Sequence, residues 1–222
     1  MRTVALMQPY FFPYAGYYRL FAWADHVIVY DTVQMPKGGR VHRTLVPGPS
    51  GEPEWLTLPV ARHPLDTLVR DCRFAPDARA IFAKRLARYG WLRDARGPAS
   101  QRLRAYLDAP HGSIADYVTD GIRIVADELR LPATIARSSE SGLDPALRGQ
   151  DAVIAAVTAA GGTRYVNSPG GRALYDPEAF RKAGIELVFL PDYDGPYTMM
   201  LPALLAEDPA TIAADILSVP AA

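Results

Sequence analysis

Cysteine is all but absent from this 222-residue chain, where Cys72 stands alone. A single thiol forms no intrachain disulfide and cannot build a zinc knot, so a reducing compartment, the cytoplasm, is the natural expectation. Lysine is nearly as scarce: Lys37, Lys84 and Lys182 are the only three among 24 basic residues, the rest being arginine. Net charge is lacking as well, because 24 acidic residues balance them and the two signs are interspersed. That leaves no basic arm or tail of the kind that tracks nucleic acid. No apolar run approaches the roughly 20 residues of a membrane span, and the short run after Arg2 is interrupted at Gln8-Pro9 before it reaches signal-peptide length. The four histidines (His26, His42, His63, His111) show neither HxxH nor HExxH spacing, so no metal is expected. Glycine-rich phosphate loops of the GxGxxG or GxxxxGK[ST] type are missing, as is the GxSxG turn of the α/β-hydrolase nucleophile.

What is present is the composition of an ordinary globular protein, 49% hydrophobic and 22% charged. Residues 4–7 read as a buried strand that stops where Pro9 cannot donate to a ladder. Apolar residues at helical spacing over 16–24 (Tyr17, Leu20, Phe21, Ala24) predict a helix, and 26–30 a second buried strand that delivers Asp31. Strand, helix, strand is the opening of a parallel βαβ unit. Strands are expected at 41–46, 54–60 and 67–74, the first two separated by the Pro47-Gly48-Pro49-Ser50-Gly51 turn. Helices follow at 76–89, 98–107 and 113–129, the last with Ser113 as N-cap and Asp116 placed for a capping box. Strands at 134–138, 164–167 and 185–189 alternate with helices at 147–160 and 177–183, and a helical tail over 201–217 should break near Pro209. The expected fold is α/β: one domain over 1–222 with a mixed, mostly parallel sheet flanked by helices and a helical insert at about 76–130.

Three segments carry polar residues where chemistry is expected. Gln8-Pro9-Tyr10-Phe11-Phe12-Pro13-Tyr14 links the first strand to the first helix, the place where open parallel sheets hold ligands. It is either a stiff aromatic connection or a preformed pocket wall with Gln8, Tyr10 and Tyr14 facing a ligand. The run from Asp31 through Gln34, Lys37, Gly38-Gly39, Arg40, His42 and Arg43 is either a solvated cationic hairpin or an anion site. There Lys37 and Arg43 can hold a phosphate or carboxylate, and His42 can serve as a base. Arg40 and His42 are expected on one strand face. Asn167-Ser168-Pro169-Gly170-Gly171, leading to Tyr175, spells a turn and could equally orient a polar substrate. Cys72, with no adjacent histidine, reads as a structural thiol.

Taken together, these segments resemble the WbqC-like family. The resemblance lies in QPYFFPYAGYYRLFAWADHVIVYDTVQ at the start, WLTLPV at 55–60, GQD at 149–151 and YVNSPGGRALYDPEAFRKAGIEL at 165–187, in that order. It places Gln8, Asp31, Gln34, Lys37, Arg43, Asn167, Ser168, Gly170 and Tyr175 on motif positions. Two stretches depart from the family pattern. Lys37-Gly38-Gly39 and Arg43-Thr44 stand where many members have lysine–glycine–tryptophan and arginine–asparagine. Thr198-Met199-Met200-Leu201 lacks an acid that many members carry. The resemblance implies an acyl or aminoacyl (glycyl among them) transferase making an amide in O-antigen, other polysaccharide or natural-product biosynthesis. The acyl donor would ride on coenzyme A, a carrier protein or tRNA. In that reading Asp31 or His42 takes the amine proton, Lys37 and Arg43 hold the donor's anion, and Gln8 and Asn167 steady the oxyanion. A nucleotide-dependent amide ligase and a non-catalytic pathway-binding protein stand as alternatives.

Overall fold

The computed structural model describes residues 1–142, 144 and 146–218. The last four positions of the domain span expected from the sequence lie outside that range. The chain folds as one α/β domain around a five-stranded sheet. Its strands are β1 (Thr3–Met7), β2 (His26–Val29), β5 (Thr134–Arg137), β6 (Arg164–Asn167) and β7 (Glu186–Phe189), in the spatial order β5-β2-β1-β6-β7. Every pair is parallel, with Val4 beside His26 on one side and Tyr165 on the other. Both faces are covered, which is why β1 and β2 read as unbroken apolar runs. Val4, Leu6, Ile28 and Tyr165 pack on α6 (Gly149–Ala159) and α7 (Pro177–Lys182). Ala5, Val27, Val29 and Val166 face the larger core with α1 (Ala15–Trp23) and α5 (Ile114–Glu128).

The antiparallel pairing sits apart, in a hairpin of β3 (Arg43–Pro47) and β4 (Pro53–Thr57). Between it and β5 run α2 (Ala78–Leu86), α3 (Gly90–Asp94), α4 (Ser100–Leu107) and α5. Ser113 caps α5 as expected, accepting from the Asp116 amide while the Asp116 carboxylate accepts from Ser113 N–H. The tail divides at the expected proline into α8 (Met200–Ala206) and α9 (Pro209–Leu217), where Asp208 caps and Pro209 opens the second helix. Two expectations fail. The 67–74 segment forms a 3₁₀ turn at Val69–Asp71 with isolated bridges on either side. Its amides are taken singly by the loop after β2, Val69 N–H by Val33 O and Arg70 N–H by Asp31 O, so no ladder develops. β3 begins only at Arg43, so residues 39–42 are turn rather than strand. Among the described residues no helix is long and apolar enough to cross a membrane.

Candidate functional site

In chain order the sheet strands run third, second, first, fourth, fifth across the sheet, so the direction of winding reverses between β1 and β6. Loops leaving such a pair part from one another and leave a crevice at the carboxyl ends of the strands. β1 leads to α1 on one face and β6 leads toward α7 on the other. The crevice is a cleft of about 710 Å³ lined by Gln8, Tyr10, Tyr14, Arg40 and Ser168, with Thr198 at the side.

The wall after β1 is stiff. Pro9 and Pro13 bracket it, and Phe12 holds a φ of 47°, in the left-handed region that a bulky residue avoids. Such a conformation costs on the order of 1 kcal/mol and persists where the surroundings over-determine it. Here the Thr44 hydroxyl donates to Phe12 O at 2.9 Å and the ring is wedged edge-on against Phe11 and Tyr106. The loop after β7 packs beside this wall, adds Thr198 to the lining and is held by the buried Arg19. Its Nη1 donates to the carbonyls of Pro191 and Asp192, both at 3.2 Å. Ala15 N–H donates to Tyr197 O at 3.0 Å and so sets Thr198 at the cleft.

Polar chemistry gathers along one side. Arg40 Nη1 donates to the Tyr10 hydroxyl at 2.6 Å, and its guanidinium also lies 5.6 Å from the centre of the Trp55 ring. Arg40 thus takes up a lone pair of the Tyr10 oxygen, and the Tyr10 O–H is left to donate to a ligand oxygen. Burial, first of all, pushes the Tyr14 phenol above its ordinary value, with nearby Tyr10 and Asp192 adding to the rise and Arg40 and Arg19 opposing it. Tyr14 therefore stays protonated. Gln8 is exposed at the cleft, while its carbonyl accepts from the Tyr17 hydroxyl at 3.1 Å. Behind Ser168, the buried Asn167 Oδ1 accepts from Ser168 N–H at 2.7 Å. Gly171 lets Asn167 sit there, because a Cβ at that position would lie 2.4 Å from Asn167 Nδ2.

The candidate residues are thus divided. Gln8, Tyr10, Tyr14 and Ser168 share the cleft, and Asn167 supports it. Asp31 is fully buried elsewhere: its carboxylate accepts from Ser138 Oγ (2.9 Å), Ser139 N–H (2.9 Å) and Ser139 Oγ (2.7 Å). Gln34 donates to Leu65 O and pairs backbone with Leu68. Arg43 donates to the carbonyls of Gly38 and Gly39, fixing a turn in which Gly38 has a φ of 63°, and stacks 4.3 Å from the Trp55 ring centre. Gly170 is exposed in the 3₁₀ turn, and Tyr175 packs on the far face against Tyr165, Phe180 and Phe189. Lys37 and His42 line a second cavity with Arg62 and His63. The shared strand face expected for Arg40 and His42 is therefore overturned. The turn at 39–42 sends Arg40 to one cavity and His42 to the other. Arg40 and Thr198 are the cleft residues that sequence reasoning passed over. The signal for Arg40 was its place in the cationic run; that for Thr198 was its place at the head of the stretch that departs from the family pattern. Cys72 is buried, its Sγ directed at Leu68 O, and burial raises its thiol above the ordinary value.

The profile of the WbqC-like protein family matches residues 8–200. An uncharacterised protein of Mycobacterium tuberculosis, Rv1507c, is 26% identical over 211 residues, covering 88% of this chain and 84% of the relative. No solved structure is a significant match.

Proposed function

The chain belongs to the WbqC-like protein family, and from that premise we propose that it is an acyl or aminoacyl transferase. It forms an amide on an amino sugar or other small-molecule amine in a bacterial biosynthetic pathway such as that of O-antigen or a natural product. The observation that carries the reading is the cleft at the β1/β6 reversal, aromatic on its walls and supplied with Gln8, Tyr10, Arg40 and Ser168 on its polar side.

In this reading the amine nitrogen attacks the carbonyl carbon of the donor, and the carbonyl π electrons move to oxygen. The Tyr10 hydroxyl donates to that oxyanion while Arg40 supports the phenol from behind; Gln8 and Ser168 supply further donors. Collapse of the intermediate expels the donor's thiolate or alkoxide, which takes up the proton released by the amine. Donors preset for the oxyanion are each worth about 10²–10³ in rate where they have been removed singly. No side-chain nucleophile is required, which suits a chain whose one thiol is buried. Asp31 has no part, since its oxygens are already engaged. Lys37, His42 and Arg43 stand outside this cleft.

A second reading, a nucleotide-dependent amide ligase, is favoured by one observation: this strand order with a crevice at its reversal is where dinucleotide and mononucleotide folds place their ligand. The two separate in one assay. The protein is incubated with an acyl-coenzyme A, an acyl carrier protein or glycyl-tRNA, each with an amino-sugar acceptor, and the amide is followed by mass spectrometry. Transfer predicts product without ATP, and a loss of about 10²-fold in Arg40→Ala and Gln8→Ala with the fold intact by circular dichroism. Product only with ATP, accompanied by AMP or ADP, establishes the ligase. Pathway output unchanged by both substitutions establishes a binding protein.

A further inference from the structure

The second cavity, about 430 Å³, opens on the other side of the 36–42 turn and is lined by Lys37, His42, Arg62 and His63 among apolar neighbours. No carboxylate lines it. Two more cations stand behind it: Arg43, whose donors go to the carbonyls of Gly38 and Gly39, and Arg85, which donates to Thr57 O. After burial, Arg43, His63 and Arg85 hold the His42 ring below its ordinary value. Among the described residues none of Lys37, Arg43, Arg62 and Arg85 enters an ion pair. Several acidic residues are committed elsewhere, Glu54 to Arg88, Asp127 and Glu128 to Arg102, Asp116 and Glu140 to Arg137, and the acid nearest in sequence, Asp66, is exposed and does not line the cavity. In a chain of zero formal charge, this is a local surplus of positive charge without a counterion. His42 adds a directional group. Its Nδ1 is buried with no hydrogen-bond partner, which leaves Nε2 as the ring nitrogen available to a ligand. A buried N–H without an acceptor is rarer than an unmatched lone pair, so the proton belongs on Nε2, as a donor.

We infer that this cavity binds a phosphate ester or diphosphate group. A single carboxylate is matched by one cation, whereas the charge collected here suits a group carrying two or more negative charges. Lys37 meets it as a point charge, Arg62 as a planar fork and His42 through Nε2–H. Pro36 lines both cavities, so a ligand with a phosphate at one end and a reactive group at the other can straddle the turn. The inference rests on the charge distribution and holds whether or not the cleft transfers an acyl group.

Pyrophosphate, ADP and coenzyme A are titrated calorimetrically into the intact protein, Lys37→Ala/Arg62→Ala and Gln8→Ala. At least one of the three is expected to bind the wild type and to lose about tenfold or more in affinity to the double variant, with Gln8→Ala losing less than the double variant. Raising salt from about 50 to about 200 mM should weaken that binding severalfold. Lys37 and Arg62 are exposed, so the double variant is expected to keep the wild-type unfolding midpoint, which is measured alongside. Tighter binding of ADP than of coenzyme A identifies a nucleotide source, and the reverse a pantetheine carrier. No binding by the wild type, undiminished binding by a folded double variant, or loss confined to Gln8→Ala overturns the inference. Failure to form an amide in the transfer assay leaves it standing.

Discussion

At the carboxyl end of β1 the chain leaves through Gln8 into an open cleft. At the carboxyl end of β2, one strand away, it leaves through Tyr30 and Asp31 into a closed corner. Both strands are short, apolar and buried, and each is followed by a polar side chain at the same sheet edge. The difference lies in what the neighbouring strand brings. β6 departs from β1 toward the other face and leaves Gln8 with solvent around it. β5 runs straight into the 3₁₀ turn Ser138–Glu140, which delivers two hydroxyls and an amide to Asp31. A polar residue at a strand end is a site where loops part and a staple where they meet.

The largest effect that tests this contrast is on stability. Asp31→Ala removes the buried acceptor of three hydrogen bonds and leaves Arg137 with one fewer nearby carboxylate, so it should cost about 3 kcal/mol in urea unfolding. Gln8→Ala should stay within about 0.5 kcal/mol of the wild type while losing activity. A stable Asp31→Ala that loses activity would reverse the assignment. Next comes the pair Gly171→Ala and Gly170→Ala. The first drives a Cβ into Asn167 and should cost about 1–2 kcal/mol, read as a lower melting temperature; the second meets nothing within 4 Å and should be nearly neutral. Equal effects would mean that Asn167 does not depend on that close approach.

Proton titration followed by NMR sets the second cavity against the open surface. Burial first, then Arg43, His63 and Arg85, hold His42 below the ordinary 6.5. The hydrogen bond to Asp120 and one to Ala109 O hold the exposed His111 above it. As pH falls, His111 should therefore protonate before His42. The signs for stability are opposite. Any contribution from His42 is present above the unfolded-state value and lost as pH falls through its folded value. That from His111 is present at low pH and lost as pH rises through its folded value. Titration in the reverse order would remove the cationic surroundings assigned to His42. The smallest effect concerns Cys72: it should react with a disulfide reagent only as the protein unfolds, and Cys72→Ala should form product at the wild-type rate. Ready labelling of the native protein would contradict its burial.

Much of the architecture was legible before the fold was seen, because its signals are local. The 164–167 strand, the Ser113 capping box and the break at Pro209 each rest on a few adjacent residues. So does the cleft wall at Gln8, Tyr10 and Tyr14. What stayed hidden depends on contacts across the chain. Asp31 looked like a base because Ser138 and Ser139, over a hundred positions away, are what occupy it. Lys37 and His42 looked like partners of Gln8 because Asp31, which opens their segment, leaves the sheet at the same edge as Gln8. The turn that separates them is pinned by Arg43, a residue whose charge suggested ligand binding rather than loop closure. The 67–74 segment has β-rich composition, yet its amides go to the loop after β2, a pairing that composition does not encode.

The most direct test of the β1/β6 cleft as the site needs no knowledge of the substrate. It is a crystallographic fragment screen of the intact chain. Fragments carrying carboxamide, carboxylate or phenol groups should collect in the cleft, in contact with Gln8, Tyr10, Arg40 or Ser168. Density confined to the corner cavity beside Tyr30, Arg70 and Ser139, with the cleft left empty, would contradict it.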